Sequence, residues 1–212
     1  MIPMRKYILI PSILVLALIA LAIFIPAVIS KNGGEKAVQT FSTSFPATEV
    51  RDLSIALNGT SLNVRTGETD ALLINTVDAA VETEFDEGRL TVSERKTFRR
   101  SAAIDIVLPE GYTFDNFSAA LGAGNMTASN FSCGNIMISC DVGNVRLLLR
   151  DAPDMLNLNI GVGDAEITFP GEHQISIKAP YGLGNRDYAE RFIVTDDTQY
   201  VINVSVGNTT LR

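Results

Sequence analysis

The feature that most constrains this chain is a short phrase that returns five times in its second half. It reads Leu-Gly-Ala-Gly-Asn at 121–125, Asp-Val-Gly-Asn at 141–144 and Gly-Val-Gly-Asp at 161–164. It returns as Gly-Leu-Gly-Asn at 182–185 and Ser-Val-Gly-Asn at 205–208. The shared glycines, Gly124, Gly143, Gly163, Gly184 and Gly207, are spaced by 19, 20, 21 and 23 residues. Repeats of this length mark stacked units, none of which can bury its apolar face without its neighbours.

The flanks of each corner identify the unit. Phe117, Ala119 and Leu121 precede the first corner, Ile136, Ile138 and Cys140 the second, and Leu156, Leu158 and Ile160 the third. Met126 and Ala128, then Val145, Leu147 and Leu149, then Ala165, Ile167 and Phe169 follow them. These are period-two runs in a constant phase, so each unit is two short strands meeting at a corner. Stacking equivalent strands about 4.8 Å apart builds a continuous core. The expected fold is therefore all-β: a single-domain parallel β-solenoid over 46–212, with about 20 residues per turn.

At each corner glycine supplies positive φ and asparagine tolerates the left-handed region. In register, Asn125, Asn144, Asn185 and Asn208 could form an amide ladder that Asp164 interrupts. Asp164 reads either as a calcium ligand or as a carboxylate accepting a corner N–H. The nonapeptide calcium-binding repeats that would favour calcium are absent.

Upstream, Tyr7 to Ile29 is 23 residues without a charge, about 34 Å as a helix and long enough to cross a bilayer. Residues 7–29 are expected to form a transmembrane signal-anchor helix. Residues 1–6 would be cytoplasmic, because Arg5 and Lys6 precede the span, and everything beyond residue 30 extracytoplasmic. A cleaved signal peptide, with Ala20-Leu21-Ala22 as its site, is the rival reading. Both export the domain. Residues 30–45 read as a short tether containing Gly33-Gly34.

Strand signals begin near Phe45. Leu53, Ile55 and Leu57 lead into Asn58-Gly59, and Leu62 and Val64 lead out, like an earlier copy of the corner. Leu72 to Val77, Ala80 to Phe85 and Leu90 to Val92 are further strands. Ile104, Ile106 and Leu108 then run into the turn Pro109-Glu110-Gly111-Tyr112.

That last segment, Ile106-Val107-Leu108-Pro109-Glu110-Gly111, together with the recurring Gly-x-Gly-Asn corners, resembles the bacterial “putative adhesin” β-solenoid domains. The likeness covers about residues 50–212, and the family is largely without an assigned function. It implies a solenoid on a cell surface and carries no catalytic residues over to this chain.

The candidates for chemistry are few. Net charge is −7, which argues against a nucleic-acid partner. Cys133 and Cys140 could pair in an exported chain. They bracket what reads as one extended strand, however, roughly 20 Å long, which favours free thiols. His173 has no second histidine or nucleophile beside it and reads as a loop residue. A polysaccharide-acting β-helix enzyme would need clustered carboxylates on one outer face. Asp141, Asp151, Asp154 and Asp164, with Arg146 and Arg150 nearby, fall mainly around corners instead. Six Asn-x-Ser/Thr sequons, at Asn58, Asn116, Asn125, Asn130, Asn203 and Asn208, would be glycan acceptors in a eukaryotic secretory route, but solenoid corners are rich in these residues anyway and the resemblance implies a bacterial source.

Arg95, Lys96, Arg99 and Arg100 form the one basic cluster. It could contact anionic headgroups or an anionic wall polymer, or be a solvated loop. No metal or other cofactor is implied. The reading is an adhesin-like or envelope-binding module without enzymatic activity. Its expected partners are the membrane, an envelope polymer or another surface protein. The alternative is the sensory or regulatory domain of an envelope-stress system. The chain stops directly after the fifth corner, so the C-terminal rung, with Tyr200, Ile202 and Val204, is expected either to self-associate or to be covered by the segment 186–197.

Overall fold

The structure, a computed structural model, describes residues 40–77, 81–95, 102–180 and 182–212. Its first seven strands are β1 (Thr40–Pro46), β2 (Asp52–Leu57), β3 (Ser61–Gly67), β4 (Ala71–Val77), β5 (Val81–Asp86), β6 (Arg89–Glu94) and β7 (Ala103–Pro109). The corner repeats supply β8 (Phe114–Ala123), β9 (Met126–Phe131), β10 (Cys133–Val142), β11 (Val145–Leu149), β12 (Met155–Val162) and β13 (Ala165–Thr168). Short strands close the chain: β14 (Ile175–Ile177), β15 (Arg186–Tyr188), β16 (Phe192–Val194), β17 (Tyr200–Val206) and β18 (Thr209–Leu211).

Two sheets face each other across one core. The first has the order β1-β4-β7-β3-β9-β11-β13-β18-β15 and the second β17-β12-β10-β8-β2-β6-β5, while β14 and β16 pair separately. Each corner passes the chain from the second sheet to the first. Alternation decides which side chains point inward: Ile136, Ile138 and Cys140 on β10 meet Val145, Leu147 and Leu149 on β11 in the buried cluster. Phe114, Phe117 and Phe131 fill the side away from the corners, with Phe117 and Phe131 edge-to-face at 5.0 Å.

The sheets are mixed, which overturns the expected parallel β-solenoid over 46–212. β4 runs antiparallel to both β1 and β7, and β5 antiparallel to β6. Stacking order also departs from chain order. β2 lies between β6 and β8, and β3 lies between β7 and β9. The chain therefore builds the β2–β3 layer first, adds β6–β7 on one side of it, and returns to the other side for the repeats. The repeats themselves are parallel and in register: Ile136 pairs with Phe117 and Leu156, and Val145 with Met126 and Ala165.

The expected transmembrane helix over Tyr7–Ile29 lies outside the described residues. Among those that are described, no helix is long and apolar enough to cross a membrane, so the structure lends that helix no support. Part of the expected tether, Thr40–Phe45, belongs to β1, which pairs along its length with β4.

The C-terminal rung does not end the stack. β17 and β18 lie against β12 and β13, and the segment after residue 175 passes over their far side. There β15 pairs with β18, and Lys178 and Leu183 bridge to Val201 and Val206. The fourth corner in sequence, Gly184-Asn185, is thus the last in space, beyond Gly207-Asn208. An internal segment thus covers that rung, the second of the two expectations, although it does so through Lys178, Leu183 and β15 and not through the whole of 186–197. The amides of Ile202, Gly207 and Thr209 donate to the carbonyls of Lys178, Leu183 and Asn185.

This packing sets which amides exchange slowly. Hydrogen exchange should find those of Ile202, Gly207 and Thr209 protected; exchange at unfolded-chain rates there would remove the covering segment. At the corner, Gly143 has φ 149° and its Cβ position lies 1.8 Å from the Gly124 carbonyl oxygen. Gly143→Val should therefore destabilise by at least about 1–3 kcal/mol more than Ser139→Val on the exposed outer face. Equal melting temperatures for the two variants would contradict this geometry.

Candidate functional site

Two surfaces grow directly from the stacking: the corner edge and the outward face of the second sheet. At the edge, each corner glycine has positive φ, from 141° at Gly207 to 149° at Gly143. Each following residue joins a continuous column. The Asn125 N–H donates to Ser61 Oγ, and Asn125 Oδ1 accepts the Asn144 N–H at 3.0 Å. Asn144 Oδ1 accepts from Asp164 N–H at 2.9 Å. Asp164 Oδ1 accepts both the N–H and the side-chain amide of Asn208, at 2.7 and 2.9 Å, and Asn208 Oδ1 accepts the Asn185 N–H at 3.1 Å. Asp164 thus continues the column instead of interrupting it.

Glu94 plays the same part at the Asn58-Gly59 corner. Its carboxylate accepts the N–H groups of Asn58 and Gly59 and the Thr60 hydroxyl. The residue before each glycine points out: Val142 is 53% exposed, Val162 49%, Val206 43% and Leu183 74%, so an apolar stripe runs beside the amide column.

The outward faces of the two sheets differ in chemistry. That of the first sheet is crossed by ion pairs: Arg65 with Asp105 at 2.9 Å, Arg146 with Glu166 at 3.3 Å, and Arg212 with Asp187. That of the second sheet is charged toward β5 and β6, where Arg89 faces Asp52 and Arg95 pairs with Glu82, and carries mainly amides and hydroxyls from β8 to β12. Asn116 Nδ2 donates to Asp52, Asn135 Nδ2 to Asn116 Oδ1, Asn159 Nδ2 to Asn157 Oδ1 and Asn203 Nδ2 to Asn159 Oδ1. Sequence reasoning named the corners but missed this face. The signal was present in the outward phase, where Asn, Ser and Ala alternate with the core residues of β2, β8, β10 and β12.

The remaining candidates do not converge. Of the basic cluster, Arg95 is described and pairs with Glu82, whereas Lys96, Arg99 and Arg100 lie outside the described residues. Asp151 is bound by Arg150, which holds its carboxyl below the usual range. Asp164 is committed to Asn208. His173 is exposed in its turn. No group of three or more His, Cys, Asp or Glu side chains that could hold a metal occurs among the described residues.

Cys133 and Cys140 are free and buried, and both lie on β10. The Cys133 thiol donates to the Asn135 carbonyl at 3.0 Å, and burial pushes its pKa up to about 12.

These elements define a class: an all-β protein of two facing mixed sheets, with a stacked Gly-Asn edge and one outward face rich in amides. No family model and no curated protein sequence matches the chain. Among solved structures it is similar to one from Clostridium sporogenes ATCC 15579 described as a “putative cell adhesion protein”. The two are 19% identical with a TM-score of 0.62, over 82% of this chain and 99% of that one. A likeness at this identity shows a shared fold. A “putative adhesin” from Bacteroides fragilis NCTC 9343 aligns over 82% of this chain and 97% of its own, at 13% identity and a TM-score of 0.40.

The buried thiol generates a prediction about alkaline stability. The folded state raises its pKa above the unfolded value of about 8.5. Its contribution is therefore intact below that pH and is lost as pH rises through the window toward about 12. The melting temperature of the wild type should fall more steeply above about pH 8.5 than that of Cys133→Ala. Parallel profiles would show that the thiol titrates normally in the folded chain.

Proposed function

We propose that this chain is an adhesin-like module displayed on the cell surface, which binds an envelope polymer or a protein of another surface through its outward faces. The observation that carries the reading is the fold shared with the Clostridium sporogenes protein described as a “putative cell adhesion protein”. The architecture supports it physically. Stacked rungs hold long rows of side chains at fixed spacing on rigid strands, and such rows suit repetitive or extended partners.

The reading is tested on living cells. With an epitope tag after Arg212, antibody should label intact cells, and a deletion strain should adhere several-fold less than its complemented parent. Labelling only after permeabilisation, or unchanged adherence in the deletion strain, would overturn it.

A further inference from the structure

We propose that the outward face of the second sheet is a binding groove for an uncharged polysaccharide, lying across β10, β12 and β17. The inference rests on the adhesin reading and names the ligand class of one of its surfaces. At this place the face is concave: Asn135, Asp154, Met155, Asn157, Thr198, Gln199 and Val201 line a groove of about 490 Å³. The backbone register puts Asn135 beside Met155, and Met137 beside Asn157, which is itself beside Val201. Met137 is 53% exposed in the same row.

Three properties select the ligand. First, two amides have capacity left over. Asn157 Oδ1 is taken by Asn159 at 2.8 Å and Asn135 Nδ2 by Asn116 at 3.0 Å. Among the described residues no protein group bonds Asn157 Nδ2 or Asn135 Oδ1, so the groove presents one donor and one acceptor from adjacent strands. Sugar hydroxyls both donate and accept, and so fit such a pair where a carboxylate or ammonium group could use only half of it.

Second, Met137 and Met155 occupy the other diagonal of the square formed with Asn135 and Asn157, and Val201 lies on the far side of Asn157, so apolar surface flanks both amides. A pyranose ring offers the same alternation, with C–H faces between its hydroxyls. Third, Asp154 is the one charged side chain among the described residues lining the groove, which disfavours an anionic polymer. A second hollow of about 200 Å³ lies on the same sheet toward β6, lined by Ser54, Asn116 and Ser118 together with the Asp52–Arg89 ion pair, so the neutral surface is confined to the β10–β17 side. Successive strands are about 4.8 Å apart, close to the length of one sugar in an extended chain, so a glycan crossing the strands would meet an equivalent row at each unit.

The opposite face makes the contrast internal. Its charged side chains pair across strands, as Arg146 does with Glu166, and its amide Asn63 lies beside the charged Asp105, to which it donates.

The test uses the purified full chain, with cellohexaose, mannohexaose and maltohexaose as neutral probes and polygalacturonate and hexalysine as charged ones. At least one neutral hexaose should bind and shift the side-chain amide resonances of Asn135 and Asn157. Met137→Arg and Asn157→Asp should each weaken that binding at least tenfold, while Arg146→Ala leaves it unchanged. Asn157→Asp keeps the shape of the side chain, so it decides the matter should Met137→Arg fail to fold.

No binding of any neutral hexaose at millimolar concentration would overturn the proposal, as would tighter binding of polygalacturonate or hexalysine or equal weakening by Arg146→Ala. Cells that still adhere through the chain when no neutral hexaose binds would leave the adhesin reading standing and remove this one alone.

Discussion

The structure depends on how closely one corner lies on the next. From Gly124 to Gly143, Gly163, Gly207 and Gly184, the space a Cβ would occupy is already filled by the carbonyl of the corner beneath, at 1.8 Å for the last four. Only glycine permits that approach, and the approach is what lets the ladder continue around the bend. Gly124, Gly143 and Gly163 donate their N–H groups to the carbonyls of Val142, Val162 and Val206 on the adjoining layer. The corner is therefore hydrogen-bonded like a strand. Without it, every bend would leave polar backbone groups at the rim of the apolar core, at a cost of about 1–3 kcal/mol for each one buried.

A stack of parallel layers must also end, and an exposed edge invites pairing with other chains. The two ends of this molecule meet that constraint differently. Toward the N-terminus the direction reverses: β4 and β1 continue one sheet antiparallel, and β5 closes the other with Glu82, Glu84 and Asp86 on its outward side. Toward the C-terminus the chain runs past the end and covers it with β14, β15 and β16 before returning to fill the gap with β17 and β18. Arg191 fixes that cover, donating to the carbonyl of Phe169 and standing 5.1 Å over the ring of Phe192.

These two endings explain what could and could not be read from the sequence. Inward and outward phases were legible, because alternation at Ile136, Ile138 and Cys140 is a local property of one strand. So were the corners, since Gly143 and Asn144 are needed wherever the chain bends. Spatial order was not legible. Corner 207–208 fits between corners 163–164 and 184–185 as well as after them, because all present the same backbone to their neighbours. Only the length of the 185–200 segment hints that the chain doubles back. Reversal at β4 was hidden for a related reason, as Leu72 and Ile74 alternate alike in a parallel or an antiparallel strand. The outward amides were overlooked because Asn in a strand resembles corner chemistry. Only the register, which sets Asn157 between Met137 on β10 and Val201 on β17, shows that it belongs to a face.

Rows repeating every 4.8 Å or so impose one more condition, and it separates the two outward faces. Like charges in one row would repel by about 1 kcal/mol or more per pair even with solvent screening. The first sheet meets this by alternating sign, so that Arg146 answers Glu166 and Arg65 answers Asp105. From β8 to β12 the second sheet relies on neutral amides, as does the corner column, whose one carboxylate, Asp164, sits between Asn144 and Asn208. A row of alternating charge consumes its own bonding capacity, since each group is matched by the next. An amide has both a donor and an acceptor, and a row that spends one of them on its neighbour still turns the other outward. The same stacking constraint thus leaves the amide rows of β10 and β12 with groups available to a ligand.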